Sequence, residues 1–192
     1  MKLIPFFISI LLLNIGCKSN QKFFPEKKRI LTSEFSNFEN FFPIATIDMN
    51  DLSINHKIHI MYVAFDPDID HEKPFAESDN IDEFTFNILD NGLYQPTFDN
   101  SALIIGDRFK GYFDLGKEKY KKEKENGTYI IETPNDAEWW QNDRTPLNSK
   151  GQKMKFICQV DMYKLSGDDC RLYVFYDNTD KKVKYIYINE VK

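Results

Sequence analysis

The carboxyl-terminal part of the chain alternates apolar with polar residues at a period of two, which is the pattern of half-buried β-strands. Three such runs follow one another, over residues 154–161, 172–177 and 183–189. Polar links separate them at Ser166-Gly167-Asp168 and at residues 178–181, and Gly, Asp and Asn in such links favour hairpins. The sequence therefore predicts an antiparallel meander, which restricts the fold more than any other feature of the chain.

Further strand patterns precede the meander, whereas helix patterns are few. Strands are predicted over residues 54–65, 84–88, 102–105, 108–113 and 129–132. Phenylalanines at three- and four-residue spacing predict a short amphipathic helix over residues 32–42, and the charged run 117–124 predicts an exposed helical turn or loop. The sum predicts the α+β class, with predominantly antiparallel β-sheet and few short helices behind an amino-terminal signal segment.

The amino end resembles a bacterial lipoprotein signal. Lys2 gives a positive start, and the apolar run over residues 3–13 is shorter than the ~20 residues that a membrane-spanning helix needs. Gly16 directly precedes Cys17, and the resemblance implies that Cys17 is acylated and becomes the first residue after cleavage. Asn14 departs from the pattern, because such signals usually have leucine there. A plainly secreted or uncleaved segment is the alternative.

These features divide the chain into three parts. Residues 1–16 are predicted to be the signal peptide, residues 17–30 a polar tether, and residues 31–192 a single β-rich domain. Each buried methylene of an acyl chain contributes ~0.8 kcal/mol, so two or three chains on Cys17 would hold the protein on a membrane. The expected location is therefore the bacterial cell envelope, on the periplasmic or surface face of a membrane.

Charge and motifs exclude several classes of function. The chain has 30 acidic and 25 basic residues and a net charge of −5, with no basic stripe, so it is not predicted to bind nucleic acid. The acidic balance suits a basic protein partner. The sequence has no phosphate-binding loop, no nucleophile elbow and no CxxC motif. No cofactor and no catalytic residue are therefore predicted, and enzymatic activity is not expected.

No metal site is predicted either. The acidic stretch from Asp66 to Glu77 has the oxygen spacing of a calcium loop, but His71 stands where such a loop needs glycine. A solvated acidic loop is the better interpretation. His56 and His59 are three residues apart on a predicted strand and therefore face opposite sides, so they predict neither a metal site nor a catalytic pair.

The two remaining cysteines, Cys158 and Cys170, fall on neighbouring predicted strands. Counting by two, Cys158 shares a face with Phe156 and Val160, and Cys170 shares a face with Val174. If both faces point inward, the sulfur atoms could approach each other. A disulfide in an oxidising periplasm is one outcome, and two buried free thiols are the other.

Both tryptophans stand side by side in the segment EWWQND, residues 138–143. Adjacent residues of an extended segment point to opposite sides, so one ring is expected to pack on the sheet and the other to lie at the surface. The candidate binding residues are Trp140, Gln141, Asp143 and Arg144. A tryptophan beside charged and amide groups has the composition of a protein-binding hot spot. Pure architecture and a carbohydrate-binding or hydrolytic site are the alternatives.

Residues 137–177 resemble the YwqG-like domain, a bacterial family of unknown function. The resemblance rests on an ordered set of residues: Trp140-Gln141-Asn142-Asp143, Met154, Phe156, Gln159, Asp161, Gly167-Asp168 and 172–175. Cys170-Arg171 depart from the family, which usually has glycine there. The resemblance implies a YwqG-like portion over residues 137–192 but no reaction or cofactor. The predicted function is a lipoprotein that binds an unidentified protein, for example as an immunity or inhibitor protein.

Overall fold

The computed structural model describes residues 21–49, 57–66, 82–99, 107–126, 130–163 and 169–189, together with residues 103, 105, 165 and 167. These residues form an α-helix, α1, over Asp107–Asn126, a short 3-10 helix over Lys27–Arg29, and strands β1 to β9. The strands are β1 Gln21–Phe23, β2 Phe41–Asp48, β3 Lys57–Val63, β4 Glu83–Ile88, β5 Tyr94–Pro96, β6 Ile131–Glu132, β7 Lys155–Asp161, β8 Cys170–Asp177 and β9 Lys182–Asn189.

The strands are arranged in two antiparallel sheets. The smaller sheet has the order β1-β2-β3, and the larger has the order β5-β4-β9-β8-β7-β6. The predicted meander is confirmed, because β7 pairs with β8 and β8 pairs with β9. Strand β4 pairs with β9, so the larger sheet joins distant parts of the chain. The predicted α+β class with predominantly antiparallel sheet is confirmed.

Tyrosines of the larger sheet complete the backbone hydrogen bonding of β3, an edge strand of the smaller sheet. The Tyr187 hydroxyl accepts a hydrogen bond from the Val63 amide at 2.8 Å. The Tyr94 hydroxyl accepts one from the His59 amide at 2.9 Å. Buried backbone groups without partners destabilise a fold, and an open strand edge invites aggregation. These hydroxyls therefore provide hydrogen-bond partners for two amides of the edge strand and hold the two sheets together around the main core.

A β-bulge in β7 allows the larger sheet to bury apolar side chains on both faces. The strand register shifts between Phe156 and Cys158. Phe156 consequently packs in a second cluster on the outer face, whereas Cys158 and Val160 lie in the main core between the sheets. Counting by two had placed these residues on a single face. The extra residue of the bulge breaks that count.

Cys158 and Cys170 are both buried free thiols. Cys158 lies opposite Val174, and Cys170 lies four residues before Val174 on the same strand. At a rise of ~3.3 Å per residue, this offset separates the two Cα atoms by about 13 Å along the sheet. A disulfide needs Cα atoms within ~7 Å, so the strand register keeps the thiols apart.

Residues 108–113, predicted as a strand, lie instead within helix α1. Lysines and glutamates that favour helix follow this short alternating stretch, and they extend the helix back through it. Lys121 and Glu118 form an ion pair of 2.6 Å one turn apart. The Tyr120 ring anchors the helix edge-on against Phe24, with centroids 5.3 Å apart. No helix in the described part of the chain is both long and apolar enough to cross a membrane.

The helix predicted over residues 32–42 is wrong. Residues 32–40 form turns without a helix, and Phe41 begins β2. The turns bring the Phe35 and Phe38 rings to a centroid distance of 6.5 Å. A three-residue spacing of aromatic residues therefore reflects ring contacts within turns here, although the same spacing is also typical of a helix.

Part of the predicted tether belongs to the fold. Strand β1 pairs with β2, and the Phe24 and Ile30 side chains are buried in the main core. The polar composition of residues 17–30 obscured these two apolar contacts. Residues 21–30, predicted as tether, therefore contribute a strand and core side chains to the fold.

Three further strand predictions agree with the structure in position, although residues 54–56 and 129 lie outside the described residues. The predicted strand over residues 54–65 corresponds to β3, the one over 84–88 to β4, and the one over 129–132 to β6. Residues 102 and 104 of the predicted strand over 102–105 lie outside the described residues. Strands β1, β2 and β5 are additional to those that the alternating pattern predicts.

Candidate functional site

The two tryptophans lie over the outer face of the larger sheet, where both rings contact side chains of strand β8. The Trp139 ring stacks on Tyr173 with centroids 4.4 Å apart and on Phe175 at 5.7 Å. It thereby covers the second apolar cluster. The neighbouring Trp140 is 37 % exposed. The expectation that one ring packs on the sheet and the other lies at the surface is confirmed.

Trp140 is held in place although it is exposed. The Arg171 guanidinium carbon lies over its ring, 4.6 Å from the centroid, which is a cation–π arrangement. The Tyr173 hydroxyl accepts a hydrogen bond from the Trp140 amide at 3.2 Å and donates one to the Glu138 carbonyl at 2.8 Å. Both the ring and the backbone of Trp140 are therefore fixed by strand β8.

Two carboxylates converge beside this tryptophan. The buried Gln159 side-chain nitrogen donates to Glu132 at 2.9 Å and to Glu138 at 2.8 Å. Its oxygen accepts a hydrogen bond from the Glu138 amide at 3.0 Å. Arg171 nitrogens lie 4.0 Å and 3.8 Å from the same two carboxylates. We call the surface formed by Trp140, Glu132, Glu138 and Arg171 the Trp140 patch.

Arg144, a predicted binding residue, is directed away from this patch. Its guanidinium donates to both Asp82 oxygens at 2.7 Å and 2.8 Å and to Glu83 at 2.7 Å. The hydrogen bonds to Asp82 raise the pKa of Arg144. Burial acts to raise the pKa of Glu83, but the nearby charges of Lys184 and Arg144 outweigh it and lower that pKa. Arg144 therefore joins the 138–143 segment to β4 and has a structural role.

Asp143 and Gln141 remain at the surface. Asp143 accepts hydrogen bonds from the Thr145 amide at 2.8 Å and the Thr145 hydroxyl at 2.6 Å. These bonds lower the pKa of Asp143. Lys153 also lies 3.4 Å from Asp143. Asp143 therefore shapes the loop after Trp140. Gln141 and Asp143 follow Trp140 within three residues of the sequence.

The residues that sequence reasoning missed are Glu132 and Arg171. Arg171 stands within the apolar strand β8, between Cys170 and Leu172. A charged residue at an alternate position of an apolar strand indicates a side chain on the face away from the main core. The sequence therefore indicated which way Arg171 points. It did not indicate that Glu132 lies nearby, because Glu132 belongs to β6, a strand of only two residues.

The described histidine and cysteines, His59, Cys158 and Cys170, are buried. No group of three or more His, Cys, Asp and Glu side chains among them is arranged to hold a metal ion. His59 is buried and hydrogen-bonded to Thr46 at 2.9 Å, and burial lowers its pKa to about 4. Burial also raises the pKa of the Cys158 thiol. Residues 67–77 of the acidic loop lie outside the described residues.

Comparisons with family models, curated proteins and solved structures found no match to this chain. The Trp140 patch is therefore interpreted from its own chemistry. It offers an exposed aromatic ring, a guanidinium that fixes the ring, and two carboxylates that a buried amide holds in place. This combination is suited to binding, because its aromatic and charged groups are already ordered.

Proposed function

We propose that this chain is a lipoprotein of the bacterial cell envelope that binds a protein partner through the Trp140 patch. The anchor is proposed on the amino-terminal sequence alone, in which an apolar run leads to Gly16 and Cys17. The binding role is supported mainly by one observation. Trp140 is exposed while Arg171 and Tyr173 hold it in place.

An exposed, fixed tryptophan is the kind of group that dominates protein interfaces. Trp, Tyr and Arg are enriched among hot-spot residues, and a side chain that is ordered before binding avoids an entropic cost of about 0.5–1.5 kcal/mol. Trp140 and Arg171 are ordered by their mutual contact. An interface centred on Trp140 would therefore keep more of its contact energy than one built on a mobile side chain.

The charge of the patch favours a basic partner. Glu132 and Glu138 are each more than half exposed at their side chains, and Arg171 is only 16 % exposed. The surface that a partner meets is therefore mainly acidic, in a chain of net charge −5. Complementary charge accelerates association and disfavours acidic partners. An immunity or inhibitor protein that covers a basic surface of its target is one version of this role.

A second candidate function is a carbohydrate-binding or hydrolytic site. It is favoured by an aromatic ring beside two carboxylates, which is a composition that sugar-binding and sugar-cleaving sites share. Arg171 already covers one face of the Trp140 ring, so that face is not open to stack on a sugar. Protein binding is therefore the first proposal.

The YwqG-like assignment of residues 137–192 also remains a proposal. It is supported by the order of matching residues. Several of them have roles in the site: Gln159 holds the carboxylates of the Trp140 patch, and Met154 and Phe156 pack in the cluster that Trp139 covers.

The anchor predicts that labelled palmitate is incorporated into the chain and that Cys17→Ala abolishes the incorporation. The physical reason is that the thiol of Cys17 is the proposed acyl acceptor. Cys158→Ala is the control variant, because Cys158 is buried in the main core and the label should persist. Label of undiminished intensity in Cys17→Ala would show that the lipid is elsewhere.

The binding role predicts that Trp140→Ala raises the Kd for the physiological partner by about 30-fold or more, which corresponds to roughly 2 kcal/mol. Photo-crosslinking of the whole protein in envelope membranes identifies the partner, and titration of the purified pair measures the affinity. Tyr163→Ala is the matched control, because Tyr163 is 58 % exposed and lies outside the patch. Equal affinities of the two variants would contradict the role of Trp140.

A further inference from the structure

A groove of about 410 Å³ lies between the 3-10 helix, strand β2 and helix α1. Its apolar wall includes Phe42 and Tyr120, whose rings meet edge-on with centroids 5.3 Å apart. The Tyr120 hydroxyl donates to the Pro43 carbonyl, which fixes the helix against β2. The groove is therefore a formed feature with an aromatic wall, and it takes no residue from the larger sheet or the Trp140 patch.

The rim of this groove is cationic although the protein as a whole is acidic. Lys27, Lys28 and Lys124 line it. Glu26, the one carboxylate among the lining residues, pairs with Lys28 at 3.3 Å, so three lysines face a single acid. The Lys27 ammonium lies 5.9 Å from the centroid of the Phe42 ring. Burial and the charge of Lys117 lower the pKa of Lys27, against the opposing effect of Glu39. The Lys27 ammonium already donates to the Phe38 carbonyl at 2.5 Å, and an anion in the groove would further stabilise its charged form.

We propose that this groove contacts anionic phospholipid headgroups at the membrane surface. Lysine ammonium groups would meet the phosphate, and the aromatic wall would meet the apolar part of the lipid beneath it. The proposal rests on the anchor proposed above. Gln21, the start of β1, is the fourth residue after Cys17, and a chain of this length spans at most ~14 Å. An acylated Cys17 would therefore hold the adjacent groove near the headgroups.

Two further features fit a membrane surface better than a soluble partner for this groove. Lys22 is exposed on β1, and Arg29 is 64 % exposed at its side chain. Lys22 lies between the proposed anchor and the rim lysines in the sequence, and Arg29, which pairs with Glu26 at 3.5 Å, directly follows Lys28. Basic groups therefore continue along the chain from the attachment point. Lysine and arginine side chains are attracted to the anionic surface of a leaflet. The groove thus provides the second contact that would orient the anchored domain.

The test uses the full chain reconstituted in neutral phosphatidylcholine vesicles and in vesicles that also contain phosphatidylglycerol. Acetylation of each lysine by an amine reagent is followed by mass spectrometry. We expect the acetylation rates of Lys27, Lys28 and Lys124 to be at least about threefold lower in the anionic vesicles than in the neutral ones. The acetylation rate of Lys150 should be the same in both kinds of vesicle. Equal rates for the groove lysines in the two vesicles would overturn the proposal.

A charge-reversal pair and a matched pair complete the test. Lys28→Glu with Lys124→Glu should remove the protection of Lys27. Lys122→Glu with Lys150→Glu changes the net charge equally outside the groove lining and should preserve it. Loss of protection in both pairs would overturn the proposal, because net charge alone would then explain it. Protection by inorganic phosphate in neutral vesicles would also overturn it in favour of a site for free anions.

Palmitate labelling of the same preparation separates this proposal from the anchor. A chain that incorporates palmitate but shows no lipid-dependent protection retains the anchor and loses the groove proposal. A chain that shows protection without palmitate loses the anchor, and its groove still contacts anionic lipid. The two proposals therefore fail in different measurements.

Discussion

Trp139→Ala is expected to lower the free energy of unfolding by about 3 kcal/mol, whereas Trp140→Ala lowers it by less than about 1 kcal/mol. Trp139 stacks on Tyr173 and Phe175 and covers the outer cluster, so its loss leaves a cavity and exposes apolar rings. Trp140 is exposed and contacts mainly Arg171. Urea unfolding followed by circular dichroism measures both values.

The comparison is sharp because the two variants remove the same side chain from adjacent positions. Stability and binding should respond in opposite order. Trp139→Ala mainly destabilises the fold, and Trp140→Ala mainly weakens the partner complex. A Trp140→Ala variant that loses as much stability as Trp139→Ala would show that both rings are structural, and the Trp140 patch would then lose its principal support as a binding surface.

His59 is expected to make the fold acid-sensitive by about 3 kcal/mol between pH 7 and pH 4. Burial, with a smaller effect of Lys57, lowers its pKa to about 4 in the folded state, below the ordinary value of ~6.5 in the unfolded chain. Between these values the unfolded state binds more protons. The contribution is therefore fully present above pH ~6.5, is lost as the pH falls to about 4, and does not fall further below that.

The measurement is the free energy of unfolding in urea at several pH values, for the wild type and for His59→Gln. Glutamine keeps a polar side chain near Thr46, the hydrogen-bond partner of His59, but does not titrate. Acidic residues also contribute to the pH dependence of the free energy of unfolding. Their contribution is the same in both proteins, so it cancels when the value for His59→Gln is subtracted from that for the wild type. Parallel pH profiles for the two proteins would contradict the assignment. An NMR titration of the His59 ring should independently give a midpoint of about 4.

Local sequence patterns predicted the antiparallel meander and the different exposure of the two tryptophan rings. The meander depends on the alternation of side chains along extended backbone, which is a property of each strand alone. Strands β7, β8 and β9 therefore appear in order where apolar alternation predicts them. Trp139 packs on the sheet and Trp140 is partly exposed, as the sequence predicts.

The candidate site was only partly predictable, because its decisive contacts join distant residues. Trp140, Gln141 and Asp143 lie at the surface as the segment composition indicated. Arg144 has the same local composition around it, yet it pairs with Asp82, which lies 62 residues away in sequence. The strand pairing that brings β6, β7 and β8 together also brings Glu132 and Arg171 to Trp140. No local pattern specifies such partners.

The sequence by itself thus determined the strand-rich class, the acidic charge and the alternation within each strand. Only the tertiary structure decided which face of β7 each residue occupies, because the bulge after Phe156 shifts the register against β8. It also decided that residues 108–113 are helical, since Tyr120 docks the same helix on Phe24 and Phe42. At the bulge, packing between distant segments outweighs the local alternation, and in α1 this packing adds to the helix preference of the charged residues that follow.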